Sequence, residues 1–71
     1  MTLGERVHTY RRRRALTLVE LGKAVGVDKM TIWRLENGKI DDVKGNTIAQ
    51  LARTLRVSSD YLLGLSDDEP A

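Results

Sequence analysis

The chain is 71 residues long, has no cysteine, and carries 12 Lys/Arg against 10 Asp/Glu for a net charge of +2. A chain this short makes one small domain with a modest core, and no disulfide or zinc–thiolate site stiffens it. No apolar run approaches the roughly 20 residues that span a bilayer, and the N-terminus lacks the apolar core of a secretory signal, so membrane insertion and export are not expected. The missing cysteines fit a reducing cytoplasm. The charge is uneven: net +5 through Lys39 and −3 from Ile40 onward. That division either sets aside one face for a polyanion or simply solvates the two ends.

Residues 3 to about 14 are predicted as a first helix, because Leu3, Val7 and Tyr10 recur at i, i+4 and i+7. Four arginines, Arg11, Arg12, Arg13 and Arg14, close it, and cations there complement the negative end of the helix dipole. The run spreads around most of the circumference, so the four cannot share one purpose. A solvated helix end and an anionic partner both stay open for any single one. The lone histidine, His8, falls between core positions and reads as a solvated or half-buried residue.

Residues 17–39, TLVELGKAVGVDKMTIWRLENGK, organise the chain. A second helix is predicted over 18–25, with Thr17 as N-cap and Glu20 completing a capping box. Gly26-Val27-Asp28 breaks it: Gly26 can turn left-handed and Asp28 can cap the next helix. That third helix runs from 29 to about 37 and stops at Gly38. Leu21, Val25, Val27, Ile32 and Leu35 can share one core, and Gly22 permits a close approach. Lys29, Met30, Trp33, Arg34 and Asn37 stay outward. This is a helix-turn-helix pattern with a cationic outer face, which points to DNA binding.

A loop, KIDDVKG, occupies 39–45. Asn46 or Thr47 is expected to cap a fourth helix to about residue 55, with Ile48, Leu51, Ala52 and Leu55 on its apolar face. Arg56-Val57 is a turn, and Ser58 caps a fifth helix to about residue 63, ended by Gly64. The domain is expected to occupy residues 1–65, leaving 66–71 as an acidic, mobile tail.

These residues carry a likeness. LTLVELGKAVGVDKMTIWRLENGK, then TIAQLARTLRVSSDYLLG, closely resembles the phage lambda repressor and Cro-type (XRE family) helix-turn-helix regulators over residues 3–64. Its most telling parts are the Gly26-Val27 turn, Leu35-Glu36-Asn37-Gly38-Lys39, and the late Leu62-Leu63-Gly64. The resemblance implies an all-α, compact five-helix lambda-repressor-like domain whose helix-turn-helix is formed by helices two and three. It implies a third helix in the DNA major groove, with Lys29, Met30 and Arg34 at base-reading positions. Thr31 and Trp33 would flank them at the sugar-phosphate edge or a thymine methyl. Thr17, the backbone near Asn37, and Lys39 match positions that hold phosphates. Arg11 matches an arginine that in some relatives pairs internally with the counterpart of Glu36, leaving Arg12, Arg13 and Arg14 for the DNA backbone. The implied function is a transcriptional regulator, a repressor, acting in the cytoplasm on double-stranded DNA. The implied assembly is a homodimer on a palindromic operator, whose half-sites lie about 34 Å apart. Tyr61, Leu62 and Leu65 are candidates for the subunit contact, although Leu62 can equally complete the core.

The residue types suit that work. Arginine offers a planar fork for guanine O6 and N7. Lys29 stands at the helix start, where recognition helices meet base edges. Met30 can make only apolar contacts, so a thymine methyl suits it. Arg34 can share the groove with Lys29 only if the helix lies obliquely; a surface ion pair or a phosphate contact is its other reading. Trp33 lies outside the inward face and either packs against helix two or the 39–45 loop, or meets the DNA backbone. Some positions depart from the family pattern. Leu18 stands where many relatives have a phosphate-binding glutamine, Lys29 or Met30 replaces another glutamine, and Asp41 and Asp42 place carboxylates near the expected phosphates. Asp41-Asp42-x-Lys44 faintly resembles nuclease metal ligands, but no third acid supports it, and His8 has no second zinc ligand. No enzyme, metal or cofactor is therefore expected. The competing reading is an antitoxin or a regulator that uses the fold mainly to bind a protein partner, or one joined to an effector domain.

Overall fold

Four side chains start four of the helices. Thr2 and Glu5 exchange bonds of 3.1 Å with each other's backbone amides, and Thr17 and Glu20 do the same at 3.0 and 2.8 Å. These are two capping boxes. Asp28 Oδ1 accepts the Thr31 amide at 2.7 Å, and Ser58 Oγ accepts that of Tyr61 at 3.0 Å. The computed structural model describes residues 1–40 and 43–67, and in it these caps open α1 (Leu3–Arg13), α2 (Leu18–Val25), α3 (Lys29–Glu36) and α5 (Ser59–Leu62). α4 (Gly45–Leu55) differs: its N-cap is Lys44, with no side-chain bond to the helix. The expected caps Asn46 and Thr47 lie inside the helix instead, which starts earlier than their chemistry suggests. The Asp41-Asp42 pair and residues 68–71 lie outside the described residues.

All five helices end alike. A left-handed residue closes each, at Ala15, Gly26, Gly38, Arg56 and Gly64. The next amide then reaches back to a carbonyl five residues earlier: Leu16 to Arg11, Val27 to Gly22, Lys39 to Arg34, Val57 to Ala52, and Leu65 to Asp60, all at 2.8–3.0 Å. This Schellman closure satisfies carbonyls that would otherwise be orphaned. Three of the five left-handed positions hold the expected glycine, but Ala15 and Arg56 hold L side chains at φ 57° and 60°.

The core joins Val7 and Tyr10 of α1, Leu21 and Val25 of α2, Ile32 and Leu35 of α3, Leu51, Ala52 and Leu55 of α4, and Tyr61 and Leu62 of α5. Two of these correct the expected subunit contact. Tyr61 is 3% exposed and Leu62 0%, so neither has surface to offer a second copy. Tyr61 packs edge-on against the Tyr10 ring, centroids 5.6 Å apart. Leu65, 75% exposed, and Leu63, 50% exposed, are the apolar groups that reach solvent there.

Two glycines set the helix spacing. A Cβ on Gly22 would lie 2.5 Å from the Val27 carbonyl oxygen, so the close approach expected there is onto the turn backbone. A Cβ on Gly4 would strike the Leu35 carbonyl oxygen, so α1 rests directly on the last turn of α3. On the far side of α1, Arg6 is buried. Its guanidinium lies 4.3 Å from the Tyr61 ring centroid and donates to the carbonyls of Tyr61 at 2.6 Å and Ser66 at 3.2 Å. Asp67 sits 3.6 Å from the same group, so the first two residues of the acidic tail are joined to the fold.

An L residue in the left-handed region costs about 1–2 kcal/mol, against roughly 0.5–1 kcal/mol for the extra unfolded freedom of glycine. Ala15→Gly is therefore expected to stabilise the domain by about 0.5–1 kcal/mol, raising its melting temperature by a few degrees. Thermal unfolding monitored by circular dichroism checks this; a lower melting temperature would contradict the assigned closure of α1.

Candidate nucleic-acid interface

The third helix is held from both ends and from behind. Asp28 anchors its first turn. Ile32 and Leu35, 1% and 4% exposed, fix its inner edge in the core. Its last residue, Glu36, is fastened to α1. The Glu36 side chain is only 3% exposed, yet three bonds reach it: Arg11 Nε at 2.6 Å, Arg11 Nη2 at 3.1 Å and His8 Nδ1 at 2.7 Å. Arg11 spends its remaining nitrogen on the Leu16 carbonyl at 2.8 Å. The ion pair implied for Arg11 and Glu36 is thus present as a two-pronged fork, with His8 as an additional arm.

With the inner edge fixed, the helical repeat of 3.6 residues per turn puts Met30 opposite Ile32 and Leu35, with Trp33 and Arg34 on either side. Met30 is 44% exposed and Trp33 41%; Lys29, Arg34, Asn37 and Lys39 are exposed as well, and Thr31 is half-buried. Among the described residues, the side chains of Lys29 and Arg34 make no hydrogen bond or ion pair. Asn37 donates its side-chain amide to the Trp33 carbonyl at 2.9 Å, which stiffens the helix end. Thr17 is exposed at the start of α2, and its hydroxyl oxygen already accepts the Glu20 amide.

Trp33 stands outside the core. It lines a cleft of about 420 Å³ between α1 and the end of α3, shared with His8, Leu18, Asn37 and Met1. It shares that cleft with Leu18 of α2 and keeps an exposed face.

Residues 2–65 match the sequence profile of the family described as a helix-turn-helix domain. The chain belongs to the helix-turn-helix domain family. A curated relative, the uncharacterized HTH-type transcriptional regulator RghRB of Bacillus subtilis (strain 168), is 37% identical over 60 residues. The match takes in 84% of this chain and 43% of that protein, so the domain spans less than half of the relative. Among solved structures, the P22 c2 repressor in complex with a synthetic operator superposes with a TM-score of 0.83 at 32% identity, over 89% of this chain and 94% of that one. The SinR protein in its complex with SinI gives 0.80 at 26% identity, over 87% and 60%. The five-helix arrangement is that of the lambda-repressor-like helix-turn-helix domains.

Within this helix-turn-helix domain the four-arginine run divides. Arg11 turns to α3. Arg12 is exposed. Arg13 lies over the Tyr10 ring, 4.8 Å from its centroid, and donates to the Tyr10 hydroxyl at 3.0 Å. Arg14 donates to the carbonyls of Leu55 at 2.8 Å and Arg56 at 3.4 Å, closing the end of α4. Arg13 and Arg14 thus sit on the α4–α5 side of α1, away from α3. Arg13, still exposed, has one nitrogen on Tyr10, and Arg14 has two on helix-end carbonyls. Two residues of α1 are missing from the sequence-based site. Arg6 stands four positions before Tyr10, a spacing that marks an inward face, and Gly4 stands one turn before His8 on the face toward α3. Among the described residues, no group of three or more His, Cys, Asp or Glu side chains could hold a metal ion.

The cap carboxylates link stability to pH. Backbone amides donated by Thr31, Thr17 and Thr2 hold the pKa values of Asp28, Glu20 and Glu5 below the ordinary carboxylate range. A pKa lowered by folding gives stability that is complete above the ordinary carboxylate range and is lost as pH falls through the lowered values. Asp28→Asn keeps a good N-cap without the titration. Its unfolding free energy is expected to fall less steeply in acid than that of the unaltered domain, in urea titrations taken at successive pH values. Superimposable acid limbs would refute the link.

The Glu36 fork yields a second expectation. Arg11→Met leaves a buried carboxylate with only His8, and is expected to cost about 3–5 kcal/mol in urea unfolding. The double change Arg11→Met with Glu36→Leu removes both charges and should cost less than Arg11→Met alone. Additive losses would show that the pair does not act as a unit.

Proposed function

We propose that this domain binds double-stranded DNA sequence-specifically as a transcriptional regulator, a repressor, with α3 in the major groove. The observation that carries the reading is the division of α3. Its inner edge and both ends are committed to the fold, while Lys29, Met30 and Arg34 project outward with no hydrogen bond or ion pair from their side chains to the described residues. In this reading Arg34 and Lys29 donate to base-edge acceptors and Met30 packs on a thymine methyl. Thr17, Thr31, Trp33, Asn37, Lys39 and Arg12 line the flanks, where phosphates and sugars pass. The P22 c2 repressor supports this, since its operator complex shares the fold at 32% identity. A cytoplasmic site of action goes with that role, because the domain has to reach DNA; no described helix is long and apolar enough to cross a membrane.

One eight-residue helix presents few base contacts. A homodimer on a palindromic operator would double them, and Leu65, with Leu63 beside it, is the apolar surface left for the contact. A second reading has an observation behind it: SinR, a structural neighbour at 26% identity, is seen in complex with another protein, SinI. The match covers 60% of that SinR chain, and a regulator that works through a protein partner is the second reading it supports.

Selection of bound DNA from a random pool tests the main reading, with a palindromic consensus expected. On that DNA, Lys29→Ala with Arg34→Ala should weaken binding by about 2–6 kcal/mol at an unchanged melting temperature. No enrichment from the pool, together with partner binding untouched by the double change, would favour the second reading.

A further inference from the structure

We propose that His8 is an additional contact to the DNA backbone, one that grips a phosphate only when its ring is protonated, so that DNA affinity rises as pH falls. The proposal rests on the DNA-binding reading above and deepens it.

His8 is placed for this. It projects from α1 into the cleft bounded by Trp33 and Asn37 of α3 and by Leu18, the first residue of α2. Its side chain is 46% exposed. A helix with its side chains is roughly 10–12 Å across, and the major groove is about 12 Å wide. Whatever flanks the last turn of α3 therefore meets a sugar-phosphate strand. His8 flanks that turn, bonded to its final residue.

The Glu36 bond fixes the tautomer. A buried carboxylate can only accept, so the 2.7 Å contact puts a proton on Nδ1. Arg11 Nη2 stands 3.4 Å from the same nitrogen, and once Nδ1 carries a proton for Glu36 the two are both donors. In the neutral ring, Nε2 is then a bare lone pair, which a phosphate oxygen cannot use. Protonation turns Nε2 into a donor and adds a charge, with the Glu36 bond kept. A histidine is the one side chain whose ordinary charge change falls between about pH 5 and pH 8.

Charged and apolar groups face the ring from each neighbouring element. From α3, Glu36 faces the ring as a carboxylate, and Trp33 and Asn37 are uncharged. From α1, Arg11 offsets Glu36, and Glu5 lines the same cleft as a further carboxylate. Ahead of α1, the Met1 amino group is a second cation. From α2 only the apolar Leu18 is present, so no polar side chain from α2 reaches this phosphate.

The test measures affinity for selected DNA by fluorescence anisotropy at fixed ionic strength, from about pH 8 to about pH 5.5, with folding monitored by circular dichroism. Binding is expected to tighten by up to roughly tenfold per pH unit, the limit for uptake of one proton. At the acid end, the slope of log K against log salt should be steeper by about 0.9, one further phosphate. A purely structural role for His8 would leave that slope unchanged. His8→Gln keeps a donor for Glu36 and should bind with no pH dependence. His8→Arg should carry the steeper salt slope at every pH. A flat pH profile in the unaltered domain overturns the proposal. So does a rise that survives His8→Gln. Absence of DNA binding at every pH would instead defeat the DNA-binding reading itself.

Discussion

The position of the third helix depends on one buried carboxylate. Glu36 is 3% exposed and would be costly to bury alone, since an ion in a protein interior loses several kcal/mol of hydration. Arg11 meets it with two nitrogens and His8 with one, and the requirement that all three meet fixes the rotation of α3 about its axis. Gly4 makes the geometry possible. Only where α1 has no side chain can its backbone settle against the Leu35 carbonyl and bring His8 and Arg11 within reach of Glu36. Asp28 at the other end prevents the first turn from fraying. The outward direction of Met30, Trp33 and Arg34 is the consequence.

The same interaction changes how the charge should be read. Nine basic residues precede Ile40, which looks like a large phosphate-binding surface. Arg6 is buried against Tyr61, Arg11 is neutralised by Glu36, and Arg13 and Arg14 serve Tyr10 and the end of α4. Four of the nine therefore work inside the fold. In a domain with no disulfide and a small core, arginine doubles as structural material, because one planar group can cover an aromatic ring and satisfy carbonyls at once. Under the proposed reading fewer cations are left for DNA, so register on the duplex would depend on geometry more than on bulk charge.

Much of this is legible in the sequence. The caps Thr17, Asp28 and Ser58, and the stops at Gly26, Gly38 and Gly64, are local chemistry, and the structure realises each. The start of α4 is misread for the converse reason: Lys44 makes no side-chain cap, so a reading that looks for caps moves on to Asn46 and Thr47. Ala15 and Arg56 show a related limit. A left-handed closure normally announces itself by glycine, and here the closure is imposed by packing on residues that give no signal. Tyr61 and Leu62 read as a subunit contact because a four-residue helix has too little sequence to reveal which side is inward. The arginine run cannot be divided by spacing alone, since the destination of each guanidinium depends on elements far along the chain.

Leu18 and His8 bear on one another. The cleft beside the end of α3 has apolar walls in Leu18 and Trp33. Such walls suit a deoxyribose better than a phosphate, which needs a donor. Of the two donors gathered at Glu36, Arg11 is shared between the carboxylate and the Leu16 carbonyl, and His8 has a second ring nitrogen beyond its Glu36 bond. The cluster that positions α3 therefore also borders this cleft. Under the proposed reading, fold stability and DNA grip share His8, and a change to the Glu36 cluster would act on both.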